Sequence, residues 1–169
     1  MSSSSDAAAL SSGASQLNDL IARVVEIAGE MLGDLTGRRV TVLGAAFKPN
    51  SDDTRDSPAL DVACRLRAAG ALVTVTDPEA LDNARRRLGD LLEFVPGTDE
   101  ALRGTELTVL LTEWDGYREL DPARTASLPA APRMIDGRNV LSPQAWREAG
   151  WEIRSLGRAS VPSGPRPTA

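Results

Sequence analysis

Apolar residues recur along this chain in two rhythms. From Gln16 to Leu32 they fall at Leu17, Leu20, Ile21, Val24, Val25, Ala28, Met31 and Leu32. Those steps of three and four trace one face of a helix. Ser15 stands in the N-cap position, and Gly33 and Gly37 end the helix and its connection. Beyond residue 38 the rhythm changes to short apolar runs. These predict strands at 39–43, 71–76, 91–95, 106–111, 132–136 and 151–155. Between them lie helical segments at 58–69, 79–88, 98–103, 115–128 (broken) and 142–149. The run Glu106-Leu107-Thr108-Val109-Leu110-Leu111 is almost continuously apolar, as a strand covered on both faces should be. Repeated βα units predict an α/β fold: a Rossmann-like, doubly wound parallel sheet of about six strands, preceded by one long amphipathic helix. Residues 1–15 are small and polar with no period and read as a disordered leader. The organisation is then a leader over 1–15, a helix over 16–34, a domain over 38–158 and an irregular, Pro-rich tail over 159–169.

Composition narrows the function classes. A chain of 169 residues is one domain with a real core. A net charge of −5 argues against nucleic-acid or anionic-membrane partners. No apolar run approaches a membrane span, and the leader has neither a basic start nor an apolar core, so it is no secretory signal. One Cys rules out an internal disulfide and fits a reducing, cytoplasmic setting. There is no His, which removes the commonest general base and the commonest metal ligand, and with them His-dependent hydrolase triads and zinc sites.

The candidate chemistry sits where the first strand ends. Residues 44–56 separate Val40-Thr41-Val42-Leu43 from a helix start at Ser57-Pro58. That connection far exceeds the roughly 2–6 residues of an ordinary βα loop, and open α/β sheets bind ligands at the carboxyl ends of their strands. It carries Lys48 and Arg55 beside Asp52, Asp53 and Asp56, and Arg138 follows another strand through Asp136-Gly137. Three cations from two strand ends could converge on one crevice, where Arg offers a bidentate fork to a pyrophosphate. The alternative is ion pairing with the loop carboxylates. Asp52 and Asp53 are adjacent, so they suit loop hydrogen bonding and pairing with Arg55 better than paired catalysis or a metal site, and no metal site is expected. Gly44 is followed by Ala45, Ala46 and Phe47, so the Gly-x-Gly-x-x-Gly of a dinucleotide loop is missing and the chain is not expected to hold NAD by itself. Cys64 falls in step with Leu60 and Ala63 and reads as a buried, inert helix thiol. Trp114 either flanks the crevice or caps the core, while Trp146 and Trp151 read as packing residues. No residue stands out as catalytic.

The stretch Gly44-Ala45-Ala46-Phe47-Lys48-Pro49-Asn50-Ser51-Asp52-Asp53-Thr54-Arg55-Asp56-Ser57-Pro58-Ala59 resembles the signature of the C-terminal, UDP-binding domain of the UDP-glucose/GDP-mannose dehydrogenase family. That pattern reads roughly Gly-Leu-Ala-Phe-Lys-Pro-Asn-Thr-Asp-Asp-x-Arg-Glu-Ser-Pro-Ala. Ala45, Ser51 and Asp56 are mild departures. The resemblance continues in order through Gly70-Ala71-x-Val73, Asp77-Pro78, Thr112-Glu113-Trp114, Ile135-Asp136-Gly137-Arg138-Asn139 and Leu156-Gly157-Arg158. It implies that Phe47, Lys48 and Arg138 contact a UDP-sugar such as UDP-glucose. It also implies that Arg55 reaches toward NAD, which in the complete enzyme is held mainly by an N-terminal domain carrying the catalytic Cys. The resemblance makes 16–34 the end of the family's central helical region, which builds a homodimer, whereas the plainer reading is a helix packed on its own domain. Two functions follow as expectations. One is the nucleotide-sugar side of a UDP-glucose 6-dehydrogenase-like oxidoreductase, inactive by itself. The other is a free-standing UDP-sugar module, regulatory or complementing a separate catalytic subunit.

Overall fold

The computed structural model describes residues 12–46 and 57–156, with side chains of the first helix described from Asp19 onward. Phe47, Lys48, Asp52, Asp53, Arg55 and Asp56, most of the leader, and residues 157–169 lie outside the described residues.

The elements follow the two rhythms of the sequence. Helix α1 (Ser12–Leu32) comes first, then β1 (Arg39–Leu43), α2 (Pro58–Ala68), β2 (Leu72–Thr76), α3 (Leu81–Leu88), β3 (Glu93–Phe94) and α4 (Thr98–Leu102). After these come β4 (Leu107–Leu110), α5 (Asp115–Arg118), α6 (Pro122–Thr125), β5 (Arg133–Asp136), α7 (Pro143–Glu148) and β6 (Glu152–Ser155). The expected break within 115–128 falls at Asp121-Pro122, where the Asp121 carboxylate accepts from the Ala123 and Arg124 amides and starts a new turn. Ser57 and Ser142 cap α2 and α7 in the same way, each followed by Pro at the first turn.

All six strands are parallel, in the order β3-β2-β1-β4-β5-β6. Such a sheet is buried on both faces. Its centre is Val42 in register with Val75 on one side and Val109 on the other, and Val109 with Ile135, all fully buried. The chain runs outward from β1 to β3, then returns to lay β4 on the other flank of β1. The strand order therefore reverses between β1 and β4, and the crevice of an open α/β sheet lies at the carboxyl ends of such a pair.

Helix α1 docks on this domain, against α2 and β5. Ile21, Val24, Ile27, Ala28 and Leu32 are buried, while Leu20, Val25 and Met31 are partly covered. Ile27, which the spacing argument passed over, is one of the largest fully buried side chains. The helix also starts at Ser12, so Ser15 lies inside it rather than at its N-cap. An Arg154–Glu30 ion pair of 2.7 Å links α1 to β6, yet both side chains are substantially exposed. Such a pair contributes at most about 1 kcal/mol, against roughly 1.5–3 kcal/mol for each large buried aliphatic side chain, so apolar burial seats the helix. Trp146 and Trp151 pack edge to face with centroids 4.8 Å apart. Among the described residues no helix is long and apolar enough to cross a membrane, and no group of three or more His, Cys, Asp or Glu could hold a metal ion.

Candidate functional site

The carboxyl edge of the sheet is organised around one carboxylate. Asp77 follows β2 and is 5% exposed. Its Oδ2 accepts the backbone N–H of Ala45 at 2.7 Å and of Ala46 at 3.0 Å, and the indole N–H of Trp114 at 3.1 Å. Its Oδ1 accepts the amides of Glu79 at 2.8 Å and Ala80 at 2.7 Å. A single side chain thus joins the ends of β1, β2 and β4. Thr112 completes the clamp by donating its hydroxyl to the Ala46 carbonyl at 3.0 Å. Tyr117 donates to the Thr76 carbonyl at 3.2 Å. Burial, and secondarily the charge of Asp77, pushes the Tyr117 phenol far up, so it keeps its proton and remains a donor.

Gly44 begins this arrangement with φ of +112°. A Cβ there would lie 2.5 Å from Thr112 Cβ and 2.9 Å from the Thr112 backbone nitrogen. The residue is glycine because β1 and β4 leave their strands in contact, and L side chains seldom adopt this backbone shape.

Across the crevice, Asp136 ends β5 fully buried. Its oxygens accept the amides of Arg138 at 3.0 Å and Leu141 at 2.8 Å, which curls the chain over the strand end. The Arg138 guanidinium stands partly exposed, donating from Nε to Glu113 Oε1 at 3.4 Å. Asp136 therefore holds the Arg138 backbone, and Glu113, from the end of β4, steers its side chain. Gly137 has a packing role. A Cβ there would meet Leu111 Cδ2 at 2.7 Å and the Leu110 carbonyl at 3.0 Å, so its bareness packs the β5 turn against β4.

Of the site residues singled out in the sequence, Arg138 lies among the described residues, at the carboxyl end of β5. Phe47, Lys48 and Arg55 belong to the connection outside the described residues. Trp114 is buried and donates its indole N–H to Asp77 at the carboxyl edge of the sheet. Cys64 is half-buried rather than buried, packed against the core, and its thiol is pushed up by burial and then by Asp61. Sequence reasoning noted Asp77-Pro78 and Thr112-Glu113-Trp114 as motifs but gave Asp77, Thr112 and Glu113 no role. The available signal was an Asp placed right after a strand and before Pro, a turn-forming pair able to accept nearby amides.

The described residues do not fit NAD. Dinucleotide-binding folds present glycines to the pyrophosphate after β1 and a carboxylate to the ribose after β2. Here the β1 glycine accommodates Thr112, and Asp77 is enclosed by protein donors.

A family model described as the UDP-glucose/GDP-mannose dehydrogenase family, UDP binding domain, matches residues 41–143. The chain belongs to this family. The UDP-binding domain is 37% identical over 131 residues to the UDP-glucose 6-dehydrogenase TuaD of Bacillus subtilis (strain 168), covering 78% of this chain and 28% of that protein. It is 39% identical over 136 residues to a UDP-glucose 6-dehydrogenase of Rhizobium meliloti (strain 1021), covering 80% and 30%. Among solved structures, a UDP-glucose dehydrogenase from the hyperthermophilic archaeon Pyrobaculum islandicum superposes with a TM-score of 0.69 at 36% identity, covering 82% of this chain and 29% of that one. The chain therefore spans less than a third of the length of these relatives.

Proposed function

We propose that this UDP-binding domain forms the nucleotide side of the substrate cleft of a UDP-glucose 6-dehydrogenase-like oxidoreductase, which oxidises the primary alcohol of a nucleotide sugar to a carboxylate with NAD as oxidant. The observation that carries this reading is Arg138. Its backbone is fixed by a buried carboxylate while its guanidinium is left partly exposed at the carboxyl edge, available to a phosphate. Phe47 and Lys48, from the connection after β1, are the further substrate-binding residues of the proposal, and Arg55 is its contact toward NAD. The proposal assigns the catalytic nucleophile and the main NAD contacts to an N-terminal dehydrogenase half, in the same or a separate chain. No chemical step is assigned to this domain.

The test is titration of the purified chain with UDP and UDP-glucose, followed by calorimetry and NMR. Half a cleft leaves the ligand partly solvated, so the expected Kd is roughly 10 μM to 1 mM, or about −4 to −7 kcal/mol. Incubation with UDP-glucose and NAD alone is expected to give no NADH. Absence of any response at millimolar UDP overturns the proposal.

A further inference from the structure

Ala45 and Ala46 are the last described residues before Phe47 and Lys48, and their backbone is held in an unusual way. Both are buried, and neither side chain offers a polar group. The Ala45 and Ala46 amides both donate to Asp77 Oδ2, and the Ala46 carbonyl accepts from Thr112 Oγ1. Two side chains from other strand ends thus do what a sheet ladder does elsewhere. The carboxylate is itself pinned, because its second oxygen accepts the Glu79 and Ala80 amides of its own turn. The same two elements serve the opposite wall. Thr112 and Trp114, both held in the clamp, flank Glu113, and Glu113 steers Arg138. We propose that Asp77 and Thr112 are positioning residues for nucleotide binding, fixing the Ala45-Ala46 backbone at the carboxyl end of β1 and the strand end that aims Arg138. The proposal rests on the UDP-binding reading above. Its physical content is pre-organisation: backbone already ordered in the free protein need not be ordered when the ligand arrives.

The experiment compares Thr112→Val, which removes the hydroxyl and keeps the shape, with Thr112→Ser, which keeps the hydroxyl. Asp77→Asn places an amide against the Ala45 and Ala46 donors. Ile153→Val, remote in β6 and buried, is the control for general loss of stability. UDP affinity is measured on folded protein well below each melting temperature, and amide exchange at residues 44–46 is followed without ligand. Thr112→Val is expected to weaken UDP binding about 3- to 10-fold, the scale of one hydrogen bond. Asp77→Asn is expected to weaken it by about tenfold or more, since several bonds are lost together. Thr112→Ser and Ile153→Val should stay near the parent. Exchange at residues 44–46 should rise about tenfold in the first two variants and return in Thr112→Ser. Parent-like affinity and exchange in Thr112→Val overturn the proposal, as does an affinity loss that Ile153→Val reproduces. If Asp77→Asn does not fold, the Thr112 pair decides. A parent chain that gives no UDP signal overturns the nucleotide reading itself, and exchange then shows separately whether the clamp exists.

Discussion

The two walls of the crevice are built on opposite principles. The wall at β1, β2 and β4 is closed: Asp77 accepts five hydrogen bonds, and Thr112, Trp114 and Tyr117 are all buried with their polar atoms partnered. The wall at β5 is open. Among the described residues the Arg138 side chain pairs with Glu113 at 3.4 Å, and both groups are more than a third exposed. A buried network of this kind is costly to break because each orphaned group loses its water as well as its partner. An exposed ion pair is nearly free to exchange its partner. The contrast therefore separates a fixed wall from an exchangeable one: the first sets geometry, and the second presents the charge that the proposal assigns to the ligand.

The largest effect should come from the closed wall. Gly44→Ala places a methyl against Thr112 at a positive φ, and we expect a loss of about 3 kcal/mol or more, from overpacking together with backbone strain. Urea unfolding at unchanged m-value measures it; a loss within about 1 kcal/mol would show that the contact of β1 with β4 yields easily.

The open wall should behave inversely. Arg138→Ala should cost about 1.5–3 kcal/mol of UDP affinity and less than about 1 kcal/mol of stability. Arg138→Lys should recover only part of the affinity, since a point charge does not reproduce a fork. Titration and melting of the same variants test both halves. A fall in melting temperature with affinity intact would make Arg138 structural and erase the contrast.

A third substitution sharpens the meaning of a satisfied network. Thr108, fully buried in β4, has a hydroxyl with no hydrogen-bond partner among the described residues. Thr108→Val keeps the shape and removes the orphaned group, and should stabilise the protein by about 1 kcal/mol in urea unfolding. Destabilisation would show that this hydroxyl is satisfied after all.

The smallest effect belongs to the surface. Glu106 accepts from Arg38 at 2.6 Å, and that bond holds its carboxyl below the usual range. A depressed folded pKa contributes stability above the unfolded value and loses it as pH falls through the folded one. Glu106→Gln should therefore destabilise slightly at neutral pH, by less than about 1 kcal/mol, and by less again at an acidic pH below the usual carboxylate range. Urea midpoints at the two pH values report it, and a difference that persists in acid would assign the effect to packing instead.

Much of this protein was set by its sequence alone. Strand positions, the helix starts at Ser57-Pro58 and Ser142-Pro143, the parallel sheet and the family motif are all readable, because period, capping and turn chemistry act over a few neighbouring residues. The choice of Ile27 over Val25 for the buried face of α1 was not readable, since it depends on where α2 and β5 lie beneath the helix. Nor were the roles of Asp77 and Gly137. The Asp77 partners Ala45, Ala46 and Trp114 are 32, 31 and 37 residues away, and the atoms that Gly137 makes room for belong to Leu110 and Leu111. Arg138 meets Glu113 across 25 residues. These pairings exist only because the strand order places β1 between β2 and β4, and β4 beside β5. No local pattern encodes which strand ends become neighbours, so only the assembled sheet decided which charged residues became scaffold and which was left facing the crevice.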